Sequence, residues 1–143
     1  VDSMLSNCSN IPIESMESDY PFFRVVDYSL RSTSGGDGKN RGGMGFQRIY
    51  KILKEDVTFA TYGDRFKIAP DGIKGGFPGA KAETFVERGG QKIQLESKQH
   101  FSLLEGDRLV VRTGGGGGYG DPTERSKKKK KQDLLNNFTG NIS

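Results

Sequence analysis

The residues able to do chemistry are few and widely spaced. The sequence holds one histidine, His100, and one cysteine, Cys8. Together they cannot form a zinc site built from Cys and His ligands. They also give no partner set for a self-contained Ser-His-Asp or Cys-His machine. The single cysteine excludes an internal disulfide and suits a reducing compartment, so a cytoplasmic location is expected.

Two glycine clusters and a few charged residues remain. Gly114 to Gly118 are five consecutive glycines, followed by Tyr119, Gly120 and Asp121. A glycine-rich loop feeding a capped helix can turn its amides towards an anion. The loop carries no Gly-Lys-Ser/Thr sequence, and Asp121 would fill the anion position with its own carboxylate. The favoured reading is steric: glycine lets the backbone pass close to another surface or take a positive φ. That surface is expected on another domain or subunit. The second cluster, Gly35 to Gly45, carries Lys39 and Arg41. It lies between two strand patterns, so it reads as a structured turn aiming Arg41 at a carboxylate or a partner chain, rather than an RGG-like nucleic-acid segment. Asp64-Arg65 reads first as an ion pair at a strand end; functionally, the Arg65 fork would suit an anionic group. Arg41, Arg65, Tyr119 and Asp121 are the candidate binding or interface residues. No catalytic residue and no metal ligand is assigned.

The charge is local. The net charge is +4, and removing the five positive charges of the run Lys127 to Lys131 leaves −1. The basic character therefore belongs to the tail and does not make a nucleic-acid face on the body. Nowhere do about 18 apolar residues run together, which excludes a transmembrane helix. No charged-then-apolar leader opens the chain, so a secretory signal is not expected. Neither membrane nor nucleic acid is an expected partner.

The elements that must carry these residues are mostly strands. Residues 1–20 are polar and aperiodic and read as a connecting segment. Residues 21–121 read as a β-rich domain. Phe22, Val26, Tyr28 and Leu30 fall on even positions with Arg24 interrupting, a period of two. Strands follow over 46–53, 57–62, 81–86, 92–96, 101–104 and 108–113, divided by turns such as Gly89-Gly90 and Glu105-Gly106-Asp107. About seven short strands predict a mainly β fold, an antiparallel sandwich or barrel-like domain with Gly-rich loops. Residues 122–143 read as a short C-terminal helix and Lys-rich tail. Asp121 would cap it, Pro122 would begin it, Glu124 would close a capping box, and Gly140 would end it. Leu134, Leu135 and Phe138 give that helix a weak apolar stripe. The pentalysine predicts a solvated helix that frays.

Several stretches in this order resemble the hydantoinase B proteins of the hydantoinase/oxoprolinase family. They are Asn10 to Glu14, Asp19-Tyr20-Pro21, Leu30-Arg31, Ser34-Gly35-Gly36, Gly38 to Gly45, Asp64-Arg65, Gly75 to Ala80, Gly114 to Pro122 and Glu124-Arg125. The resemblance covers about residues 10–125. It departs at Asn40, where the family has an aromatic, and the pentalysine lies outside the pattern. Such B subunits run to several hundred residues, so the resemblance implies a C-terminal part of one. It further implies that the intact protein joins an ATP-binding A subunit and hydrolyses cyclic amides such as hydantoins or 5-oxoproline. Phosphorylation of an unreactive oxygen would enable that chemistry. ATP and a divalent metal are implied for the intact complex, with the metal ligands upstream; none is expected on this part. Its expected partners are the remainder of the B subunit and the A subunit. Its expected role is structural, holding the body or the A subunit through Gly-rich loops. Two other readings stand beside this one. The first is part of an ATP-dependent ketone carboxylase subunit. The second is a non-catalytic interaction module using the Lys-rich tail.

Overall fold

The computed structural model describes residues 11–138 of the chain. The first ten residues, with Cys8, and the expected helix end at Gly140 lie outside the described residues. Seven antiparallel strands form two sheets. The larger has the order β1-β2-β7-β4-β5, from β1 (Phe23–Leu30), β2 (Phe46–Ile52), β4 (Glu83–Arg88), β5 (Gln91–Leu95) and β7 (Arg108–Arg112). The smaller pairs β3 (Val57–Tyr62) with β6 (Lys98–Leu103). The sheets do not close on one another, so of sandwich and barrel the fold is sandwich-like.

Alternation puts one apolar row of each sheet inward. Ile52, Val86, Leu95 and Leu109 of the large sheet meet Leu103 of the small one, and all five are buried. Phe23, Tyr50, Val57, Phe59 and Phe101 pack around them. Burying one such side chain contributes about 1.5–3 kcal/mol relative to leaving it in water. The β4–β5 hairpin turns at Gly89 and Gly90, both at positive φ (54° and 79°), which glycine adopts without steric cost.

Strand β1 corrects the even-position reading. Phe23 pairs with Ile52 and Val25 with Tyr50, so odd residues face the core at first. A bulge between Val25 and Asp27 then shifts the parity, and Tyr28 and Leu30 share the face of Arg48 and Phe46. The extra residue explains why Arg24 interrupted the pattern. Strand β6 starts at Lys98 and leaves His100 exposed within it. Before the sheets, helix α1 (Ile13–Asp19) occupies part of the segment read as aperiodic, and Glu17 Oε1 accepts from the Val25 amide at 2.8 Å.

The C-terminal helix is two pieces. Asp121 Oδ1 accepts from the Thr123 amide and caps a single 3-10 turn, Pro122–Glu124. The chain is extended at Arg125, and Ser126 caps a new helix, α2 (Lys127–Leu135). Each cap satisfies its own first turn, so one continuous helix does not form. Glu124 does not complete a capping box; it pairs with Lys39 at 2.7 Å. The five lysines lie inside α2. Leu134 and Leu135 are exposed, and the buried residue of α2 is Asp133. Charge rather than an apolar stripe seats this helix.

Candidate functional site

The topology gathers the Gly-rich segments at one end of the large sheet. β1 ends there, β2 begins there, β7 ends there and β4 begins there, as the pairs Leu30–Phe46, Gln47–Arg112 and Glu83–Arg112 require. The connections that leave this end are residues 31–45, 113–121 and the stretch preceding Glu83. They run against one another as a bundle of extended backbones. Gly36 N donates to Gly116 O at 2.9 Å, Gly116 N to Gly43 O at 2.8 Å, and Gly118 N to Phe77 O at 2.9 Å. Gly115 N donates to Ala80 O at 3.1 Å. None of Gly114 to Gly118 has a positive φ. Their need for glycine is contact: a Cβ on Gly115 would collide with Ser34 O, and one on Gly118 with Asp37 O. The surface approached is therefore this chain's own, not that of another domain or subunit. Ser34, 1% exposed, locks the end of the bundle by donating to Arg31 O and accepting from Gly45 N.

Three of the four candidate residues belong to this bundle. Arg41 lies over the Phe138 ring at 4.9 Å, and its Nε stands 3.6 Å from Asp133 Oδ1. Arg125 forks the same carboxylate, Nε to Oδ2 at 2.8 Å and Nη2 to Oδ1 at 3.0 Å. Arg125 Nη1 also donates to Lys39 O. One buried carboxylate thus joins the Gly35–Gly45 segment to α2. Tyr119 bridges through its backbone, to Asn40 on one side and Ile73 on the other. The residue is 44% exposed, with Lys74 Nζ 5.5 Å from the ring centroid. Asp121 is exposed, and bonds from the Thr123 hydroxyl and amide hold its carboxyl below the usual range.

Arg65 stands apart. It takes a left-handed backbone (φ 66°), and its carbonyl accepts from Ala82 N at 2.9 Å. Asp64 and Arg65 are both exposed and form no ion pair with each other; two side chains in water gain little from pairing. They line the rim of an apolar cleft of about 640 Å³ between the two sheets. Its walls include Phe22, Tyr50, Phe59, Phe66 and Val111. Sequence reasoning did not single out Asp133, which follows a run of lysines, or Arg48. Neither carries a local signal; their importance comes from what the fold sets beside them.

Among the described residues, no three His, Cys, Asp or Glu side chains stand close enough to hold a metal ion. The amides of Gly115, Gly116 and Gly118 already donate to carbonyls, so the pentaglycine does not fit a nucleotide phosphate. No helix among these residues is long and apolar enough to cross a membrane.

Comparison with known proteins places this architecture. The family model described as hydantoinase B/oxoprolinase matches residues 1–122. An uncharacterized protein of Methanocaldococcus jannaschii is 45% identical over 106 residues, 74% of this chain and 18% of that protein. The B subunit of a putative D-/L-hydantoinase from a Pseudomonas species is 37% identical over 100 residues, 68% of this chain and 17% of its own. The crystal structure of the ATP-dependent caprolactamase from Pseudomonas jessenii superposes with a TM-score of 0.71 at 26% identity, covering 90% of this chain and 23% of that one. A nucleotide-free acetone carboxylase structure superposes with a TM-score of 0.74 at 18% identity, over 92% of this chain and 22% of its own. The latter is a likeness of fold alone. The chain spans less than a quarter of each of these proteins.

Proposed function

The chain belongs to the hydantoinase B/oxoprolinase family, and on that premise we propose that it works as part of a B-type subunit in an ATP-dependent hydrolase of cyclic amides. Hydantoins and 5-oxoproline are the substrates to try. Its role there is structural: it fixes the shape of the larger polypeptide and offers surfaces to it. The Gly-rich bundle carries this reading. The Gly-rich motifs among those that bear the family resemblance pack against each other, and their backbone groups are largely used inside the bundle. In this proposal ATP and a divalent metal are held by the rest of the assembly, and the pentaglycine amides serve the bundle instead. The partners are the remainder of the B-type polypeptide and an ATP-binding A subunit, acting in the cytoplasm.

Reconstitution tests the proposal. The B subunit of the Pseudomonas hydantoinase, deleted for its matched segment, is mixed with this chain and the A subunit. ATP-dependent ring opening of hydantoins and 5-oxoproline is then assayed. Restored turnover is expected. Failure to restore it, with the intact relative active in the same assay, overturns the reading. Turnover of ketones that requires bicarbonate would move it to a carboxylase.

A further inference from the structure

The two faces of the large sheet are finished differently. On the outer face, Phe85 and Val110 are buried beneath charged side chains. Glu83 pairs there with Arg31, Arg112 and Lys92, and Arg112 also donates to Gln47. That face is closed by its own ion pairs. The inner face is closed only where the two-stranded sheet lies over it. Farther along, register sets Tyr28 and Leu30 of β1 beside Arg48 and Phe46 of β2. Tyr28 and Leu30 are 49% and 59% exposed. The apolar cleft adjoins them through Tyr50 and Val111, the latter the register partner of Arg48.

Arg48 gives this surface its chemistry. Its guanidinium lies 4.2 Å from the Tyr28 ring centroid and 5.3 Å from that of Phe46. The rings meet edge to face at 5.8 Å. The Nε of Arg48 is buried without a hydrogen-bond partner. None of the ion pairs among the described residues includes Arg48. A planar cation held between aromatic rings and lacking an acid is ready to be forked by a carboxylate. A buried donor left unpaired is costly, and no acid among the described residues offsets the charge of Arg48.

We propose that this half-open inner face is where the domain docks on the remainder of the B-type polypeptide. The docked segment covers Tyr28, Leu30 and Phe46 with apolar side chains and presents an Asp or Glu to Arg48. This inference rests on the reading that the chain works inside such a subunit. Two observations choose the occupant. More than three quarters of each protein compared lies outside the segment matching this chain. The surface also couples apolar area with an arginine that has no acid of its own, which is charge complementarity awaiting a partner.

The test measures binding of the full chain to the Methanocaldococcus jannaschii relative deleted for its matched segment, by calorimetry and sedimentation. The wild type should bind. Arg48→Glu and Tyr28→Asp should each weaken binding by about 30-fold or more. Arg48→Gln, a milder change that spares the fold, should weaken it less. Lys51→Glu, on the outer face, should leave it unchanged. Circular dichroism checks that every variant is folded. If Arg48→Glu and Tyr28→Asp both bind like the wild type, docking occurs elsewhere; this inference falls and the broader reading stands. A wild type that dimerises through this face and ignores the remainder overturns the inference in favour of a second copy. A wild type that binds neither removes the broader reading as well.

Discussion

Asp107 is 2% exposed and fully engaged. Arg88 forks it, Nε to Oδ1 at 2.9 Å and Nη2 to Oδ2 at 2.6 Å, and the Leu104 amide donates to Oδ2 at 2.9 Å. These bonds lock the β6–β7 turn, where Gly106 takes a φ of 88°. The Arg88 guanidinium, helped by the Leu104 amide, holds the Asp107 carboxyl below its usual range, although burial acts the other way. A carboxylate whose pKa is depressed on folding stabilises the protein above its unfolded value, about 3.9, and loses that contribution as pH falls through the folded value. Asp107→Asn should therefore cost about 2 kcal/mol at neutral pH and flatten the loss of stability below about pH 4. Urea unfolding from pH 2 to 7 on both proteins measures this. Equal slopes in acid would show that Asp107 is not the group responsible.

The Gly-rich bundle behaves as a packing element, and its glycines should differ sharply in tolerance. At Gly115 a methyl group meets the Ser34 carbonyl, which the bundle fixes from both sides. Gly115→Ala should destabilise the fold by about 3 kcal/mol, the upper end of the cost of overpacking. Gly43 has nothing within 4 Å of an added Cβ and is exposed. Gly43→Ala should change stability by less than about 0.5 kcal/mol. Midpoints of denaturant unfolding for the pair decide whether close approach, rather than glycine content, is what the element requires. Alternation, turn glycines and the breaks between strands made the seven strands legible. The bundle was not legible, because its hydrogen bonds join segments remote from one another in the chain, such as Gly36 with Gly116, and no local period marks them.

At the scale of the molecule the chain has a basic helix at one end and an open apolar face between unequal sheets. Lys127, Lys128 and Lys131 project from α2 as exposed side chains with no ion pair among the described residues. Replacing these three by Gln should leave docking and the unfolding midpoint unchanged. It should reduce only weak, steeply salt-dependent binding to acidic polymers. Loss of docking in the triple variant, followed by sedimentation at two salt concentrations, would favour an interaction module built on the lysines. Such a result would also displace the inner face as the docking surface.

The mainly antiparallel β architecture, the confinement of basic charge to one run and the family resemblance all follow from composition, alternation and short motifs, which are properties of neighbouring residues. The candidate site was only half legible. Arg41, Tyr119 and Asp121 could be named from their motifs, and the capping role of Asp121 with them, but the engagement of Arg41 with Asp133 and of Tyr119 with Asn40 could not. A bulge reversed the facing of half of β1 without altering its composition. The partners of Arg41, the confinement of the pentaglycine between two loops of its own chain and the placing of Arg48 against two rings all depend on strand order. Only the tertiary structure sets that order, because antiparallel pairing brings remote segments to the same end of a sheet and leaves open whatever the second sheet does not cover.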